Sequence, residues 1–295
     1  MPRTAPMTVG TMLRAATAWL RGQGDEEARL DVELLLARAL GTDRAGLYAQ
    51  LGEELAATAR KEFEGLLARH ANGEPIAYIL GEREFYGLSF VVRPGVLIPR
   101  PETELVVDQV VEYSRAHPGE PLGIVDVGTG CGAVAVAVAK TLPRVHVLAL
   151  DVAPEAVMVA SQNAARHRVA DRVEVALGDL LAGVTGEWDV VVGNLPYIPS
   201  EIVDRLDRGV RDWEPRLALD GGPSGLTLHA RLLDQLPARL RPGGLLVLEV
   251  ADDRGEAALE LFRRKLPGAE VELLRDMFGR DRAVRVIMPS MEVSS

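Results

Sequence analysis

Apolar residues recur at a spacing close to 3.6 between residues 7 and 72, which predicts helices in this part of the chain. In "MLRAATAWLRGQG" the spacing places Leu13 and Leu20 on one face, and Gly41 follows the next periodic stretch as a stop signal. Helices that are joined by short loops form antiparallel bundles. We therefore expect residues 1–74 to form a small N-terminal helical bundle domain.

The pattern changes in the next segment. "EREFYGLSFVV" contains two aromatic-rich runs on either side of Tyr86 and Gly87, which predicts a β-hairpin. "RPGVLIPRPETE" follows with three prolines, which mark a stretch without regular structure. We interpret residues 75–100 as a β-hairpin linker between two domains.

Strand and helix patterns alternate over residues 101–295. The runs "GIVDVG" and "DVVVGN" are continuously apolar, as parallel strands covered on both faces are. Alternation of this kind predicts a doubly wound, Rossmann-like α/β sheet. Only "MFGRD" separates the last two strands, "AEVELLRD" and "RAVRVIM", so we expect those two to pair antiparallel.

Composition removes several functional classes. The chain has 295 residues, enough for two domains, and a formal net charge of -10, which disfavours a protein that grips phosphate backbones. Its one cysteine, Cys131, excludes an internal disulfide, and the five histidines show no metal-ligand spacing, so we expect no metal. The start "MPRTAPMTVG" lacks the apolar run of a signal peptide, and no membrane-length apolar stretch occurs. We expect a cytoplasmic protein.

A glycine-rich loop closes the first strand of the α/β region. In "VDVGTGCGAVAVAVA" the glycines Gly128, Gly130 and Gly132 let a ligand approach the backbone N–H groups at the start of a helix. Asp126 stands just before the loop, as is common in the first motif of methyltransferases. The spacing Gly-x-Gly-x-Gly departs from the dinucleotide fingerprint Gly-x-Gly-x-x-Gly, which disfavours a nicotinamide enzyme.

Acidic residues end the next two strands. Asp151 is placed to accept hydrogen bonds from the two hydroxyls of a ribose, and Asp179 and Leu180 are placed to flank an adenine. This layout is typical of S-adenosylmethionine sites. Cys131 lies inside the loop, where a small side chain that fills a turn is a better interpretation than a nucleophile.

The fourth strand, in "DVVVGNLPYIPS", ends in Asn194, Leu195, Pro196 and Tyr197. In a doubly wound sheet the first and fourth strands should be neighbours, which puts these four residues beside the glycine loop. The Asn194 side-chain oxygen and the Leu195 carbonyl would accept the two hydrogens of a planar NH2 group and aim its lone pair at a methyl donor. Pro196 would fix the turn, and Tyr197 would present a flat face to the planar group. No general base is expected.

Five motifs occur in an order that resembles one known family. They are "IPRPETE" (98–104), "DVGTGCGAVA" (126–135), "NLPYIPS" (194–200), "EPRLALDGGPSGL" (214–226) and "FGRDR" (278–282). Together with the helical N-terminal region they resemble the HemK/PrmC-type glutamine N5-methyltransferases of peptide chain release factors. The resemblance implies a class I S-adenosylmethionine-dependent methyltransferase fold with a seven-stranded sheet whose last strand is antiparallel.

The same resemblance implies an activity and its residues. Members of the family transfer a methyl group from S-adenosylmethionine, which becomes S-adenosylhomocysteine, to the glutamine of the Gly-Gly-Gln motif of release factors. The implied cofactor-binding residues are Gly128, Thr129, Gly130, Cys131, Gly132, Asp151, Asp179, Leu180, Asn194, Arg100, Pro101 and Thr103. The implied substrate-binding residues are Asn194, Leu195, Pro196 and Tyr197, and the catalytic residues among them are Asn194, Pro196 and Tyr197.

Departures from the family at three places leave alternatives open. Leu195 stands where the family usually has proline, and Asn-Leu-Pro-Tyr also occurs in enzymes that methylate adenine N6 of nucleic acid. The family commonly has a glycine and a glutamine near the positions that are Asp252, Asp253 and Arg254 in this chain. Many relatives have an aromatic residue at the position of Leu180. Other hypotheses are methylation of a ribosomal-protein glutamine and a binding module without activity. We expect a monomer that binds release factors, with no direct contact to nucleic acid or membrane, and a bundle domain that helps to dock the protein substrate.

Overall fold

A computed structural model describes residues 7–290 of the chain. It divides into two compact units, Met1–Gly81 and Glu82–Ser295. Each unit has its own hydrophobic core. Within the described residues, none of the helices combines the length and the apolar character that crossing a membrane requires.

The N-terminal unit consists of helices, as its apolar spacing predicts. Their bounds are α1 Val9–Gly22, α2 Ala28–Ala39, α3 Arg44–Ala49, α4 Ala57–Ala71 and α5 Ile76–Leu80. Val32, Leu35, Leu36 and Phe63 are completely buried in its core. The short helices α3 and α5 were not predicted, because six and five residues span less than two turns and show no clear period.

One partly buried ion-pair group ties the N-terminal unit together. His70, on α4, donates through Nε2 to Asp25 at 3.1 Å and also lies 3.2 Å from a carboxylate oxygen of Asp31. The two carboxylates outweigh the cost of burial and raise the pKa of His70 to about 9. The charged His70 ring therefore links the start of α2 to the end of α4. The ion pairs among His70, Asp25 and Asp31 account for the proximity of these three side chains.

The predicted hairpin is present, but it belongs to the second unit. Strands β1 (Glu82–Phe85) and β2 (Leu88–Val91) pair antiparallel around Tyr86 and Gly87. The Asn163 side chain, from a helix of the second unit, accepts a hydrogen bond from Val91 N–H at 2.8 Å and donates one to the Val91 carbonyl at 3.0 Å. The proposed linker 75–100 is thus shared between the units, with α5 in the first and the hairpin fixed to the second.

Strands and helices alternate through the rest of the second unit. The strands are β3 Leu122–Val127, β4 Val145–Asp151, β5 Val173–Leu177, β6 Trp188–Gly193, β7 Leu240–Glu249, β8 Glu270–Arg275 and β9 Asp281–Ile287. The helices are α6 Glu104–Ala116, α7 Ala133–Thr141, α8 Pro154–Arg166, α9 Ser200–Val203, α10 Arg208–Arg211, α11 Thr227–Gln235 and α12 Gly255–Lys265, with 3-10 turns at Pro101–Thr103, Arg216–Ala218 and Leu236–Ala238. Helix α11 begins at Thr227, directly after a loop in which Gly222 and Gly225 have positive φ angles.

The seven strands β3 to β9 form one sheet with the order β5-β4-β3-β6-β7-β9-β8. The expected neighbours β3 and β6 pair in parallel, with Val127 opposite Gly193. β9 runs antiparallel to both β7 and β8, which confirms the antiparallel pairing of the last two strands. The Rossmann-like methyltransferase fold with an antiparallel last strand is therefore confirmed, and the strand order reverses between β3 and β6, where ligands bind in such sheets.

Candidate active site

A cavity of about 290 Å³ lies at the carboxyl ends of β3, β4, β5 and β6. Its floor is the loop between β3 and α7, and one side is the segment after β6. The lining residues are Gly95, Val96, Leu97, Pro99, Thr103, Asp126, Val127, Gly128, Thr129, Gly130, Cys131, Ala133, Val134, Asp151, Val152, Ala153, Ala156, Gly178, Asp179, Leu180, Asn194, Leu195, Pro196, Pro215, Leu217, Ala218, Leu228 and Arg231. The lining is mostly apolar with a few polar groups at defined places, which is the usual constitution of a small-molecule site.

Asp126 holds the glycine loop in place through two hydrogen bonds. Its carboxylate accepts the Thr129 hydroxyl at 2.7 Å and the Ala135 N–H, in the first turn of α7, at 3.2 Å. Asp126 is 2% exposed, and burial raises its pKa to about 6 although both hydrogen bonds favour the ionised form. One side chain thus holds both ends of the loop, which explains an aspartate before the glycines.

Asp151, at the end of β4, holds the same loop at Gly130. Its two oxygens accept the N–H groups of Gly130 and Ala153, each at 2.9 Å. Burial raises its pKa, and these backbone hydrogen bonds oppose the rise. A carboxylate oxygen can accept two hydrogen bonds, so each one retains a lone pair for a ligand hydroxyl in the cavity.

Cys131 and Gly132 have structural explanations. Burial raises the pKa of the Cys131 thiol to about 12, which keeps it protonated at neutral pH and argues against a nucleophile. Gly132 has a φ of +81°, and a Cβ there would lie 3.1 Å from the Cα of Ala160 on α8. The third glycine of the loop therefore allows α7 to start close against α8, which is a different role from lining the cavity.

The residues after β6 enter a hydrogen-bond network that the sequence did not reveal. Asn194 donates from Nδ2 to the Thr103 hydroxyl at 3.1 Å, and Thr103 donates to Glu249 at 2.7 Å. The Tyr197 hydroxyl donates to the other oxygen of Glu249 at 3.1 Å. Glu249 ends β7, the strand next to β6, and is 3% exposed. The network thus joins the asparagine and the tyrosine through one buried carboxyl.

The segment Leu219–Gly225 packs against the backbone of Pro196, Tyr197 and Ile198. Ile198 N–H donates to the Leu219 carbonyl at 3.0 Å, and Gly221 N–H donates back to the Ile198 carbonyl at 2.8 Å. A Cβ on Gly221 would lie 2.6 Å from the Pro196 carbonyl oxygen, and one on Gly225 would meet the Tyr197 carbonyl oxygen. We call Leu219–Gly225 the cradle, because the backbone after β6 rests directly on its glycines.

The structure brings most of the predicted site residues to the cavity wall. Gly128, Thr129, Gly130, Cys131, Asp151, Asp179, Leu180, Thr103, Asn194, Leu195 and Pro196 line it. Arg100, Pro101, Gly132 and Tyr197 are not among the lining residues. Tyr197 is instead directed to Glu249, and Asp179 is half exposed and pairs with Arg231 at 2.7 Å.

Arg100 has a supporting position behind the cavity wall. Its guanidinium pairs with the buried carboxylate of Glu214 and donates to the Ile98 carbonyl at 3.1 Å. Glu214 also accepts the Ile98 N–H at 3.2 Å. Arg100 therefore connects the proline-rich segment to the segment that begins at Glu214, and both segments contribute lining residues. The sequence marked both segments as motifs but did not indicate that they pair.

Leu195 is a core residue of this site. It is 2% exposed, and its Cδ2 would lie 3.3 Å from a Cβ on Gly128. We predict that Leu195→Ala lowers the free energy of unfolding by about 3 kcal/mol, because removal of the leucine side chain leaves a cavity beside the glycine loop. Urea denaturation measures this. Leu177→Ala, at a position that is 61% exposed, is the matched control and should change it by less than about 0.5 kcal/mol. Equal changes would contradict the packing role.

Family models match both units of the chain. The model described as the PrmC N-terminal domain matches residues 11–81, and the model described as the methyltransferase small domain matches residues 109–205. The release factor glutamine methyltransferase of Moorella thermoacetica is 44% identical over 277 residues, which are 94% of this chain and 97% of that protein. The protein of the same name from Geobacter sulfurreducens is 40% identical over 257 residues, or 85% of this chain and 88% of that protein.

The fold has counterparts among solved structures. A methyltransferase from Pyrococcus furiosus superimposes with a TM-score of 0.51 at 19% identity, over 77% of this chain and all of that one. Similarity at this level of identity concerns the fold alone.

Proposed function

This chain belongs to the release factor glutamine methyltransferase family, and we propose that a glutamine side-chain amide receives its methyl group in the cavity at the ends of β3 and β6. The enzyme is an S-adenosylmethionine-dependent protein-glutamine methyltransferase. The observation that carries the proposal is the position of Asn194, which lines the cavity next to the glycine loop and has its Nδ2 engaged by Thr103. That arrangement leaves Oδ1 for a substrate amide.

The residues of the cavity fit S-adenosylmethionine. Asp151 offers lone pairs for the ribose hydroxyls, and Gly178, Asp179 and Leu180 offer a flat, partly apolar wall for adenine. A Cβ on Gly130 would meet no atom within 4 Å, so the loop leaves open space beside its backbone. When bound, the cofactor supplies an electrophilic methyl group on a sulfonium. Thr103 and Pro99 would border the side of the cavity that holds its methionine part.

Asn194 and Leu195 would position the nucleophile. An amide nitrogen is a poor nucleophile because its lone pair is delocalised into the carbonyl. If Asn194 Oδ1 accepts one N–H and the Leu195 carbonyl accepts the other, both hydrogens are fixed and the nitrogen lone pair is aimed along one line. Such orientation is worth several orders of magnitude in rate when the reacting atoms are held about 3 Å apart. Leucine keeps the carbonyl on which this contact depends.

The site needs no general base to remove the proton from the methylated amide nitrogen. Methylation makes the amide nitrogen strongly acidic, so it can release its proton to water. The carboxyl of Glu249 accepts hydrogen bonds from Thr103 and Tyr197 and does not line the cavity. Its position therefore favours orientation of the site over proton transfer from the substrate.

The substrate is tested by labelling. We propose that it is the glutamine of the Gly-Gly-Gln motif of a release factor, and the experiment supplies methyl-labelled cofactor with release factor, its Gln→Ala variant, ribosomal protein or RNA. Label on wild-type release factor alone is the expected result. Label on RNA would support adenine methylation, label on ribosomal protein would support the second alternative, and equal label on the Gln→Ala factor would contradict the assignment.

The ribose contact gives a separate prediction. We expect Asp151→Ala to raise the Kd of S-adenosylmethionine by about 10- to 100-fold, because charge-assisted hydrogen bonds contribute about 1.5–3 kcal/mol. Isothermal titration calorimetry measures the Kd. Asp179→Ala is the matched control: its carboxylate already pairs with Arg231 at the surface, so a smaller rise is expected. An unchanged Kd for Asp151→Ala would contradict the ribose role.

We further propose a monomeric, cytoplasmic enzyme whose N-terminal unit helps to dock the protein substrate. Release factor is a large macromolecule, and a second unit supplies additional surface for it. Support comes from the family match over residues 11–81, which lies outside the unit that holds the cavity.

A further inference from the structure

The Asn194 amide has two ends that differ only in what they can bind. Oδ1 accepts hydrogen bonds and Nδ2 donates them, and rotation by half a turn exchanges the two. The proposed substrate presents an NH2 group, which needs an acceptor. The site therefore works only if Nδ2 is held on the side of Thr103.

The hydrogen-bond network sets the orientation of the Asn194 amide, because the number of protons on Glu249 and Thr103 decides which groups can donate. An ionised Glu249 has no proton and accepts from both Thr103 and Tyr197. The Thr103 hydroxyl has one proton, which is used on Glu249, so the hydroxyl can only accept from Asn194. Nδ2 must then face Thr103 at 3.1 Å, and Oδ1 is left for the substrate.

We propose that Glu249 is a positioning residue which, through Thr103, fixes the end of the Asn194 amide that faces the substrate. This inference rests on the proposed function of Asn194. A protonated Glu249 would donate to Thr103, whose own proton could then point to Asn194. Both orientations of the amide would be satisfied, and the unproductive one would present an NH2 group to the NH2 group of glutamine.

The surroundings of Glu249 place its change between the ionised and the protonated form near neutral pH. Burial raises the pKa of Glu249 to about 7, the hydrogen bonds from Thr103 and Tyr197 lower it, and Glu102 and Arg282 act in opposite directions. His229 donates from Nε2 to the Glu249 backbone carbonyl at 2.8 Å, and burial lowers the pKa of His229 to about 4, so it is neutral. We therefore expect turnover to rise with pH as Glu249 ionises.

A stability measurement separates positioning from folding. The folded-state pKa of Glu249 lies above its usual value of 4.5, so the ionised form is disfavoured in the folded protein. Its contribution to the free energy of unfolding is present below pH about 4.5 and declines as pH rises to about 7. Glu249→Gln removes the buried charge and should not lower the melting temperature at pH about 8, whereas loss of a structural carboxylate would lower it.

The experiment compares wild type with Thr103→Val, Thr103→Ser and Glu249→Gln. We expect Thr103→Val to lower kcat, measured at saturating S-adenosylmethionine, about 30-fold, because it leaves the Asn194 NH2 without its acceptor. Thr103→Ser restores the hydroxyl and should recover most of that loss. Wild-type kcat should fall at least about twofold between pH about 8 and pH about 6, and Glu249→Gln should remove this pH dependence.

A spectroscopic signal reports the orientation without turnover. In protein labelled with 15N at asparagine, the side-chain NH2 signal that is absent from Asn194→Ala should titrate with a midpoint near pH 7 in wild type. It should not titrate in Glu249→Gln. A signal that titrates equally in both proteins, or equal kcat for Thr103→Val and Thr103→Ser, would overturn the inference. If wild type fails to label release factor at any pH, the proposed function fails instead, and the NMR result still tests the network.

Discussion

Asn194→Ala should lower kcat for release factor by about 10³-fold while the Kd of S-adenosylmethionine changes little. The alanine removes the side-chain oxygen that would hold one amide hydrogen, and loss of a single group positioned for the transition state typically costs 10²- to 10³-fold. Loss of orientation of the nucleophile adds to this. The Asn194 side chain reaches the cavity from the end of β6, opposite the ribose end at Asp151, so cofactor binding depends on it far less.

Single-turnover kinetics and calorimetry on the same preparation measure the two quantities. Asp151→Ala is the reciprocal variant, since it should weaken cofactor binding and retain kcat at saturating cofactor. Comparable turnover in Asn194→Ala and wild type would contradict the role of Asn194 in holding the substrate amide. A parallel loss of cofactor affinity would instead assign Asn194 to the cofactor.

Gly225→Ala should lower kcat by about 10²-fold through the backbone alone. A Cβ at Gly225 would meet the Tyr197 carbonyl oxygen and would lie 3.3 Å from Pro199 Cδ, so the segment after β6 must move. Displacement of a catalytic group by about 1 Å costs about 10²-fold in rate. Gly225 also has a φ of +76°, which adds about 1–2 kcal/mol of strain for any residue with a side chain.

Gly183→Ala separates displacement from strain. Gly183 has a φ of +81°, and a Cβ there would meet no atom within 4 Å. Gly183→Ala should therefore lose stability from backbone strain alone and keep its turnover, whereas Gly225→Ala should lose at least as much stability and also lose turnover. If the two variants retain equal kcat, the cradle does not position residues Asn194 to Tyr197.

The sheet and the place of the cavity were predictable because each depends on a repeated signal. Continuous apolar runs, alternation with helices and the order of the motifs predict that Asn194 lies beside Gly128. The structure confirms that β3 and β6 are neighbours. Asp126 and Asp151 also stood out in the sequence, since each lies at a strand end close to the glycine loop.

The supporting residues were not predictable, because their contacts join distant parts of the chain. Glu249 lies 52 positions from its partner Tyr197, and nothing in "LLVLEV" distinguishes its carboxylate from one that faces water. Gly132 belongs to the glycine motif yet serves helix packing at Ala160. Arg100 stands in a motif that lines the cavity, but its guanidinium turns to Glu214. Spacing identifies which segments matter, and only packing decides which way each side chain points.

The cradle has a consequence for protein engineering. The four-residue motif after β6 takes its shape from Gly221 and Gly225, which lie about 25 positions later in the chain and contribute no side chain of their own. Transplanting Asn-Leu-Pro-Tyr into another methyltransferase would transfer the chemical groups without the surface that shapes them. A transferable module must therefore contain both segments and the carboxylate at the end of β7, and its smallest functional unit is discontinuous in sequence.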